Sequence, residues 1–509
     1  MDDSGADERA ALPIVDGMDP VRVHAALALL AEGWRTRAEL VRETAAPRRS
    51  IEALLRTVPV ERSGERYRLE PAAPVPAHPA PAGPVGHLLP GHAATVERLA
   101  DLIARAPRGR QALDHVSATP ETVVRRALYL GARFQPPGSP PAHLLCVGDH
   151  DLTSLAVGLI HPHVRTTVVD IDDRILAYID AEAAKLGLDV RTRWADLRLG
   201  LPPSAREHAD VAITDPPYTP DGVGLFVARA VEGLRDPARG RVLLAYGAGD
   251  LTPALALKVQ NALSDLHLLS EAVYPDFNRY FGAEAIGSAA DLYVLRPTTK
   301  TLPAAVARAD RFAAAIYTHG PQSIEAAAGQ ALAADAVADL EPDVLVGAWP
   351  NDVLPNVPRV RLATWLGKPY AATVRRAAIA LPPGLEPALV RVLLATRAER
   401  VRVFTGAGVA GSAEILAPVY DLTDHGTHVD AVRREPSGAL ARTLLDRAHG
   451  KAANAWRDAL IRIRGLTKRE ARAEVARIAP WTRDVTVLEL PAHRLKAIAQ
   501  TPSADPGPV

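Results

Sequence analysis

The sequence has little that would cross-link it or place it in a membrane. Cys146 is the lone cysteine, so no disulfide can form within the chain. No apolar run reaches the roughly 18 residues that a membrane-spanning helix needs, and the first residues lack the basic and apolar segments of a secretion signal. Lys plus Arg and Asp plus Glu both total 59, so the formal net charge is zero. These features predict a cytoplasmic protein with no membrane partner, and they disfavour one built to coat nucleic acid.

The length of 509 residues is enough for about three domains. Residues 1–70 are predicted to contain a winged-helix unit, because helical apolar spacing is followed by a capping box and a short hairpin pattern. The elements expected are helices at Val21–Ala31, from Thr36 with Glu39 as its capping partner, and at Arg48–Thr57, then a hairpin at Arg62–Leu69. The third helix carries arginines, so it could bind DNA; the alternative is a docking or dimerisation module. Residues 71–90 are predicted to form an extended Pro/Ala linker.

Residues 91–297 alternate strand and helix patterns, which predicts a Rossmann-like α/β domain. The expected elements are strands at His143–Val147, Thr166–Val169, Val211–Thr214, Arg241–Tyr246 and Leu292–Leu295, with helices at Arg174–Leu186 and Gly222–Leu234. Residues 298–509 are predicted to form a further α/β and helical region of unknown role. Its expected elements are strands at Val344–Ala348 and Val401–Phe404 and broken helices over Leu440–Ile478. No metal site is predicted: His425 and His428 are expected to be loop histidines, and Gly406–Gly411 an ordinary glycine turn.

Acidic residues follow the first strand of this domain directly. Gly148 allows a tight turn, and Asp149, His150 and Asp151 come next. In open α/β sheets, ligands bind beyond the carboxyl ends of the strands, and carboxylates there suit a cationic ligand. The phosphate-binding pattern G-x-G-x-x-G is absent at this turn, which disfavours a dinucleotide. The alternative is that Asp149 or Asp151 caps the following helix.

Two further strand ends are acidic. Asp170, with Asp172 just beyond it, lies about 20 positions after the glycine turn, where a carboxylate commonly holds a nucleotide ribose. Asp196 could accept a hydrogen bond from an adenine amino group. Three acidic strand ends without a phosphate loop predict a site for an adenosine with a positively charged sulfonium arm. No permanently bound cofactor is expected.

The fourth strand is followed by Asp215-Pro216-Pro217-Tyr218. The prolines have no N–H and a fixed φ, so the turn is rigid and its carbonyls stay free as acceptors. Together with the Asp215 carboxylate, these carbonyls could hold an amine and direct its lone pair at an electrophile. Asp215 and Tyr218 are therefore predicted to be catalytic.

Several motifs between Asp114 and Arg296 resemble those of the branched-chain polyamine synthase family, the N4-bis(aminopropyl)spermidine synthases. They are Thr119-Pro120-Glu121-Thr122, Val147 to Ser154, Val168 to Asp172, Thr214 to Pro217, and Phe277-Asn278-Arg279-Tyr280. With the predicted winged-helix unit, the resemblance covers about Val21–Pro297 and leaves a long C-terminal region outside it.

The resemblance implies transfer of aminopropyl groups from decarboxylated S-adenosylmethionine to a secondary amine of spermidine. It also implies that Asp151 orients or deprotonates the amine, Asp149 binds the donor ammonium, Asp170 holds the ribose and Asp215 lines the amine site. Two positions depart from the family pattern: His150 replaces the middle carboxylate of Gly-Asp-Asp-Asp, and Tyr218 replaces the glutamate of Asp-Pro-Pro-Glu. Each change removes a negative charge.

The sequence thus predicts a transferase that alkylates an amine from an S-adenosyl sulfonium donor, with aminopropyl transfer as the leading interpretation. One alternative is an S-adenosylmethionine-dependent N-methyltransferase, in which the Tyr218 ring would stack on a planar target. The others are a 3-amino-3-carboxypropyl transferase and a nucleotide-sensing DNA-binding regulator. The expected partner is a small-molecule amine such as spermidine, and a homodimer stays open.

Overall fold

The structure is a computed structural model that describes residues 20–71, 83–134, 141–248, 252–308, 316–318, 334–406, 408–409, 411–437 and 439–501. Most of the predicted linker, at 72–82, lies outside the described residues. So do the first 19 residues, together with Ala407 and Ala410 of the predicted glycine turn. No helix in the described ranges is long and apolar enough to cross a membrane.

The N-terminal unit consists of three helices and a three-stranded antiparallel sheet of order β1-β3-β2. The capping box predicted at Thr36 and Glu39 is present, with each side chain bonding the backbone N–H of the other residue. The apolar faces of the helices pack into a core that includes Leu30, Leu40 and Leu54. The elements are α1 (Pro20–Glu32), β1 (Arg35–Thr36), α2 (Arg37–Thr44), α3 (Arg48–Thr57), β2 (Val60–Ser63) and β3 (Arg66–Leu69).

Helix α3 faces the central unit. Arg48, at its first residue, donates to Glu284 at 3.2 Å and also to Glu52 on its own helix. Arg22 of α1 donates to Asp276 of the central unit at 3.3 Å. These contacts match the docking alternative for the N-terminal unit better than the DNA-binding one.

The central unit contains a seven-stranded sheet of order β6-β5-β4-β7-β8-β10-β9. Strands β4 to β8 are parallel, and β10 is antiparallel to both of its neighbours. Alternate residues of β4 enter two different cores, Leu144 on one face and Leu145 on the other, which explains its continuous apolar sequence. The strands are β4 (His143–Val147), β5 (Arg165–Asp170), β6 (Val190–Trp194), β7 (Val211–Thr214), β8 (Arg241–Tyr246), β9 (Leu268–Arg279) and β10 (Ala289–Pro297).

The helices of the central unit begin mainly at capping residues or prolines that the sequence supplies. Thr119, Asp172 and Thr219 each accept a hydrogen bond from the first turn of a helix, at α5, α7 and α8 respectively. The helices are α4 (Ala93–Arg105), α5 (Pro120–Gly131), α6 (Thr153–Ile160), α7 (Asp173–Leu186), α8 (Pro220–Gly233), α9 (Pro253–Asp265) and α10 (Thr301–Arg308).

The C-terminal region contains a six-stranded sheet of order β12-β11-β13-β14-β16-β15. Its first four strands are parallel, and β16 is antiparallel to both of its neighbours, β14 and β15. When the outer strand β6 is left out of the central sheet, the two sheets have the same strand order and the same strand directions. The second sheet therefore repeats the first with one strand fewer. The strands are β11 (Val344–Gly347), β12 (Arg359–Val360), β13 (Arg376–Ala380), β14 (Arg400–Phe404), β15 (Tyr420–Asp424) and β16 (His428–Arg433).

The remaining helices lie within and after this second sheet. They are α11 (Leu362–Gly367), α12 (Leu389–Leu394), α13 (Ala413–Leu416), α14 (Leu440–Leu445), α15 (Ala452–Arg464), α16 (Lys468–Ile478) and α17 (Ala492–Ala499). Helix α15 is followed by Gly465, which adopts a left-handed conformation, so the predicted helical stretch over Leu440–Ile478 is broken there. The α/β and helical character predicted for this region is therefore confirmed.

Candidate active site

A cavity of about 660 Å³ lies where the parallel strands β4, β5 and β7 end. Strand order changes direction between β4 and β7, and such switch points are where open α/β sheets bind ligands. Every predicted site residue except Asp172 lines the cavity. Those lining residues are Gly148, Asp149, Asp151, Asp170, Asp196, Asp215 and Tyr218.

The turn after β4 requires a glycine at its first position. Gly148 has φ of +76°, a conformation that side-chain-bearing residues adopt only with strain. Its N–H donates to the carbonyl of Val169 on the neighbouring strand at 2.8 Å. The turn thereby brings Asp149 to Asp151 over the strand ends.

Asp149 is buried and performs the capping role that the sequence left open. Its carboxylate accepts the backbone N–H of Ser154 in the first turn of α6 at 3.1 Å, and the Leu152 before that helix is left-handed. Burial raises the pKa of Asp149 to about 7. Because the carboxylate also lines the cavity, capping does not exclude contact with a ligand.

Asp170 and Asp172 differ in what their carboxylates do. Asp170 accepts backbone N–H groups of Asp149 and Asp172, at 3.1 and 2.8 Å, and faces the cavity. Asp172 caps α7, accepts two hydrogen bonds from the Arg174 side chain, and lies outside the cavity lining. These bonds lower the pKa of Asp172 although burial opposes them. The geometry thus fits Asp170 for a ligand and Asp172 for helix capping.

Asp196 lies just beyond β6 at the far end of the cavity. Its carboxylate accepts from Nε and Nη2 of Arg198 at 2.9 and 2.6 Å, and both side chains are buried. The backbone N–H of Arg198 also donates to it. Asp196 is therefore held in one orientation toward the cavity.

A buried arginine on α5, Arg126, joins the two carboxylates predicted to be catalytic. Its Nη1 donates to Asp151 at 2.8 Å and its Nη2 to Asp215 at 2.6 Å, while its Nε donates to Asn278. The contacts with both carboxylates raise the pKa of Arg126 despite its burial. One cation thus lies between two carboxylates, and the group as a whole keeps one negative charge.

Asp151 and Asp215 are not equally exposed to the cavity. The Asp151 side chain is 8% exposed and accepts the backbone N–H of Ala118 in addition to Arg126. The Asp215 side chain is 21% exposed. Burial raises the pKa of Asp215 to about 6, although Arg126 opposes the shift. Asp215 therefore presents the more accessible acceptor.

Two tyrosines complete the Asp215 environment. The Tyr280 hydroxyl donates to Asp215 at 2.7 Å, and the Tyr218 hydroxyl donates to its other oxygen at 3.1 Å. The hydroxyls lie 3.2 Å apart. Burial raises the pKa of both phenols, so they remain neutral donors. The Tyr218 ring packs edge-on against Tyr246, with ring centres 5.3 Å apart.

His150 lies against His115 at one wall of the cavity. The two rings are stacked, with centres 4.4 Å apart and planes inclined by 15°. Burial, with the neighbouring His150, lowers the pKa of His115 to about 3, and burial lowers the pKa of His150 as well. The family pattern has a carboxylate at the position of His150. In this chain a neutral ring, stacked on a second neutral ring, stands there instead.

The residues of the site that were not predicted include Arg126, Asn278, Tyr280 and Tyr317, together with Asp114 and His115 of the cavity lining. Asn278 and Tyr280 fall in a quoted family motif that had no assigned role. That motif meets the Thr119 motif, because the backbone N–H of Thr119 donates to the Arg279 carbonyl. A charged residue on the buried face of a helix was the available signal for Arg126. Tyr317 is held over the cavity by its neighbours, since Thr219 donates to the Ile316 carbonyl and Thr318 donates to Asp114.

His425 and His428 of the C-terminal region lie close to a carboxylate, and His428 begins strand β16 instead of lying in the predicted loop. One ligand atom from each of His425, His428 and Asp430 falls within 4.8 Å of the others. Both oxygens of Asp430 already accept from Arg402, at 2.7 and 2.9 Å. The bonds to Arg402 explain the position of Asp430 without a metal ion. The predicted glycine turn is followed by a helix of only four residues, α13.

Sheet order and the acidic strand ends together define a Rossmann-like α/β domain whose cavity lacks a phosphate-binding loop. Residues 94–306 match the family model of the branched-chain polyamine synthase A C-terminal domain. The resemblance predicted from the motifs is therefore confirmed over this segment, which begins later than Val21 and ends nine residues beyond Pro297.

Two named relatives are N(4)-bis(aminopropyl)spermidine synthases. The one from Thermococcus kodakarensis is 32% identical over 143 residues, which are 28% of this chain and 40% of the relative. The one from Thermus thermophilus is 33% identical over 181 residues, 36% of this chain and 49% of the relative. The chain thus spans less than half the length of these relatives.

A solved structure of the Thermus thermophilus branched-chain polyamine synthase contains N4-aminopropylspermidine and 5'-methylthioadenosine. It is similar over 54% of this chain and 86% of that one, with 23% identity and a TM-score of 0.40.

Proposed function

We propose that this protein transfers an aminopropyl group from decarboxylated S-adenosylmethionine to an amine acceptor such as spermidine. The observation that carries the proposal is the charge of the cavity. Six carboxylates line it, from Asp114, Asp149, Asp151, Asp170, Asp196 and Asp215, and Arg126 is the sole Lys or Arg among its described lining residues.

This charge pattern distinguishes between the sulfonium donors. S-adenosylmethionine carries an α-carboxylate, which would need a cationic partner in the cavity. Arg126 already donates to Asp151 and Asp215, and the low pKa values of His115 and His150 keep both rings neutral. Decarboxylated S-adenosylmethionine has a sulfonium and an ammonium but no carboxylate. The cavity therefore favours it over the donor of a methyltransferase or a 3-amino-3-carboxypropyl transferase.

We assign each part of the reactants to one of the acidic strand ends. We assign the adenosine to the β4–β5–β6 side, with Gly148 beneath it, Asp170 on the ribose and Asp196 on the adenine. Asp149 takes the ammonium of the aminopropyl arm. The amine binds on the β4–β7 side, between Asp151 and Asp215 and beside Tyr218.

Transfer is a substitution at carbon. The amine lone pair forms a bond to the methylene carbon next to sulfur, the C–S bond breaks, and its electron pair leaves with methylthioadenosine. The new ammonium then loses its proton. We assign the proton to Asp215, because its carboxylate is the more exposed of the two and its pKa of about 6 is nearer to neutral pH than an ordinary carboxyl group's. Asp151, fixed by Arg126, holds the amine in line.

The three units have separate parts in this proposal. We assign the reaction to residues 91–297, and we propose that the described part of residues 1–70, from Pro20 onward, is a winged-helix unit that docks on the cavity loop through Arg48 and Glu284. Residues 71–90 link the two, and residues 298–509 form an added region. A cytoplasmic place of action fits the lone cysteine.

Isothermal titration with the two donors tests the proposal. Decarboxylated S-adenosylmethionine should bind at least about tenfold more tightly than S-adenosylmethionine. Methylthioadenosine lacks the charged arm and serves as the control for the shared nucleoside. Equal or tighter binding of S-adenosylmethionine would contradict the proposed donor.

A further inference from the structure

The C-terminal region contacts the central unit beside the proposed adenosine subsite. The 3-10 helix Val487–Glu489 lies against β6, the edge strand that leads to Asp196. Glu489 is buried and accepts the backbone N–H of Ser204 at 2.8 Å. The β6 edge of the central sheet is thus covered by residues that are far from it in sequence.

Arg391 of α12 makes a second contact on the same side. Its guanidinium lies 3.9 Å from the ring centre of Trp194, the last residue of β6. Both of its terminal nitrogens donate to Asp173 at 3.3 Å. Asp173 also accepts the backbone N–H of Ala492 at 2.7 Å. The Arg391 side chain is 2% exposed and that of Asp173 is 27% exposed, so the arginine is buried while the carboxylate keeps partial contact with solvent.

The third contact reaches a predicted site residue, Asp196, through one intermediate side chain. Nη2 of Arg198, which holds Asp196, also donates to the carbonyl of Gly384 at 3.0 Å. Gly384 follows β13 of the second sheet and has φ of +82°. A backbone carbonyl of the C-terminal region therefore helps to fix the arginine that orients Asp196.

We infer that the C-terminal region positions the adenosine subsite, acting on Asp196 through Arg198 and on the end of β6 through Arg391. The inference rests on the proposed function, because it assumes that Asp196 meets the donor. It gives residues 334–501 a role in donor affinity, and Arg198 is a positioning residue in this scheme.

Gly384→Ala tests the inference from outside the central unit. A Cβ at a positive φ strains the turn and moves the Gly384 carbonyl, while every side chain of the central unit stays unchanged. Gly426→Ala is the matched control, because Gly426 lies in the same region at φ of +79° and a Cβ there would meet nothing within 4 Å. Arg198→Gln is the second variant, since it removes the charged hydrogen bonds to Asp196.

The readout is methylthioadenosine affinity by isothermal titration, with the melting temperature measured alongside. Gly384→Ala and Arg198→Gln should each raise the Kd about five- to tenfold, as expected for loss of a charge-assisted hydrogen bond. Gly426→Ala should leave it unchanged. Wild-type affinity in both variants, or equal weakening by Gly426→Ala, overturns the positioning role alone. A wild-type chain that binds no methylthioadenosine overturns the proposed function together with this inference.

Discussion

Asp151 is paired with Arg126: the Nη1 atom of the arginine lies 2.8 Å from the carboxylate, and both side chains are buried. The arginine comes from α5 and the carboxylate from the turn after β4. A carboxylate held in this way has a fixed direction. Its effect on an amine therefore depends on geometry as much as on basicity.

Asp151→Asn should reduce turnover by about 10² or more, because the isosteric amide lacks the negative charge that holds the amine in line for attack. Methylthioadenosine affinity should change little, since the assigned contacts of Asp151 are with the nucleophile. Steady-state kinetics and titration measure the two quantities separately. The surface variant Asp236→Asn is the control. A variant that loses nucleoside affinity and turnover together would place Asp151 on the donor instead.

Asp170→Ala should weaken the binding of the donor and of methylthioadenosine alike, because both contain the ribose that we assign to Asp170. Asp172→Ala is the informative comparison, since Asp172 caps α7 and lies outside the cavity lining. It should lower the free energy of unfolding by about 1 kcal/mol and leave both affinities near wild type. Titration and urea unfolding of the two variants check this. Equal losses of affinity in the two variants would show that Asp172 also contacts the ligand, as the sequence predicted.

The elements that place these carboxylates were predictable from the sequence. Strands β4, β7 and β8 were predicted with the bounds that the structure shows, because strands buried on both faces have continuous apolar sequences. Strand β9 was missed. Only two of its twelve residues are buried, at the sheet edge, so they lack the apolar pattern on which the prediction depended.

The pairing of Arg126 with its partners could not be predicted in the same way. Its partners Asp151 and Asp215 lie 25 and 89 residues away in sequence, and nothing in the local pattern of α5 indicates which buried groups it will meet. The same holds for Arg198 and Gly384, 186 residues apart. Contacts between distant segments depend on how the helices and strands pack together. The pattern of a single sequence indicates only whether each segment is a helix or a strand.

His115→Phe should make the unfolding free energy less sensitive to acid. Burial lowers the pKa of His115 to about 3 in the folded protein, from 6.5. Between these pH values the unfolded chain binds the proton and the folded chain does not, so stability falls as the pH falls below about 6.5. Phenylalanine keeps the ring beside His150 and removes the titration.

Between pH 7 and 5, wild type should therefore lose about 1–2 kcal/mol more than the variant. Urea unfolding at several pH values gives the comparison. Parallel pH curves for the two chains would show that His115 titrates normally in the fold.

The Tyr218→Glu enzyme should keep its rate of transfer to spermidine or increase it. The glutamate restores the carboxylate that the family pattern has at this position, beside a polycation. Tyr218→Phe is the control, because it removes the hydroxyl and its hydrogen bonds to Asp215 and Tyr280 but keeps the ring. The comparison is of kcat/KM for spermidine in the three chains. Complete loss of spermidine activity in Tyr218→Glu, with activity in wild type, would contradict a flexible polyamine acceptor and favour a planar amine that stacks on the tyrosine ring.

The central claim is tested most directly by the products formed with each donor. The protein is incubated with spermidine and either decarboxylated S-adenosylmethionine or S-adenosylmethionine, and the products are identified by mass spectrometry. We expect methylthioadenosine and an aminopropylated spermidine from the decarboxylated donor, and no turnover of the other. Methylated amine and S-adenosylhomocysteine from S-adenosylmethionine, with the decarboxylated donor left intact, would contradict the assignment.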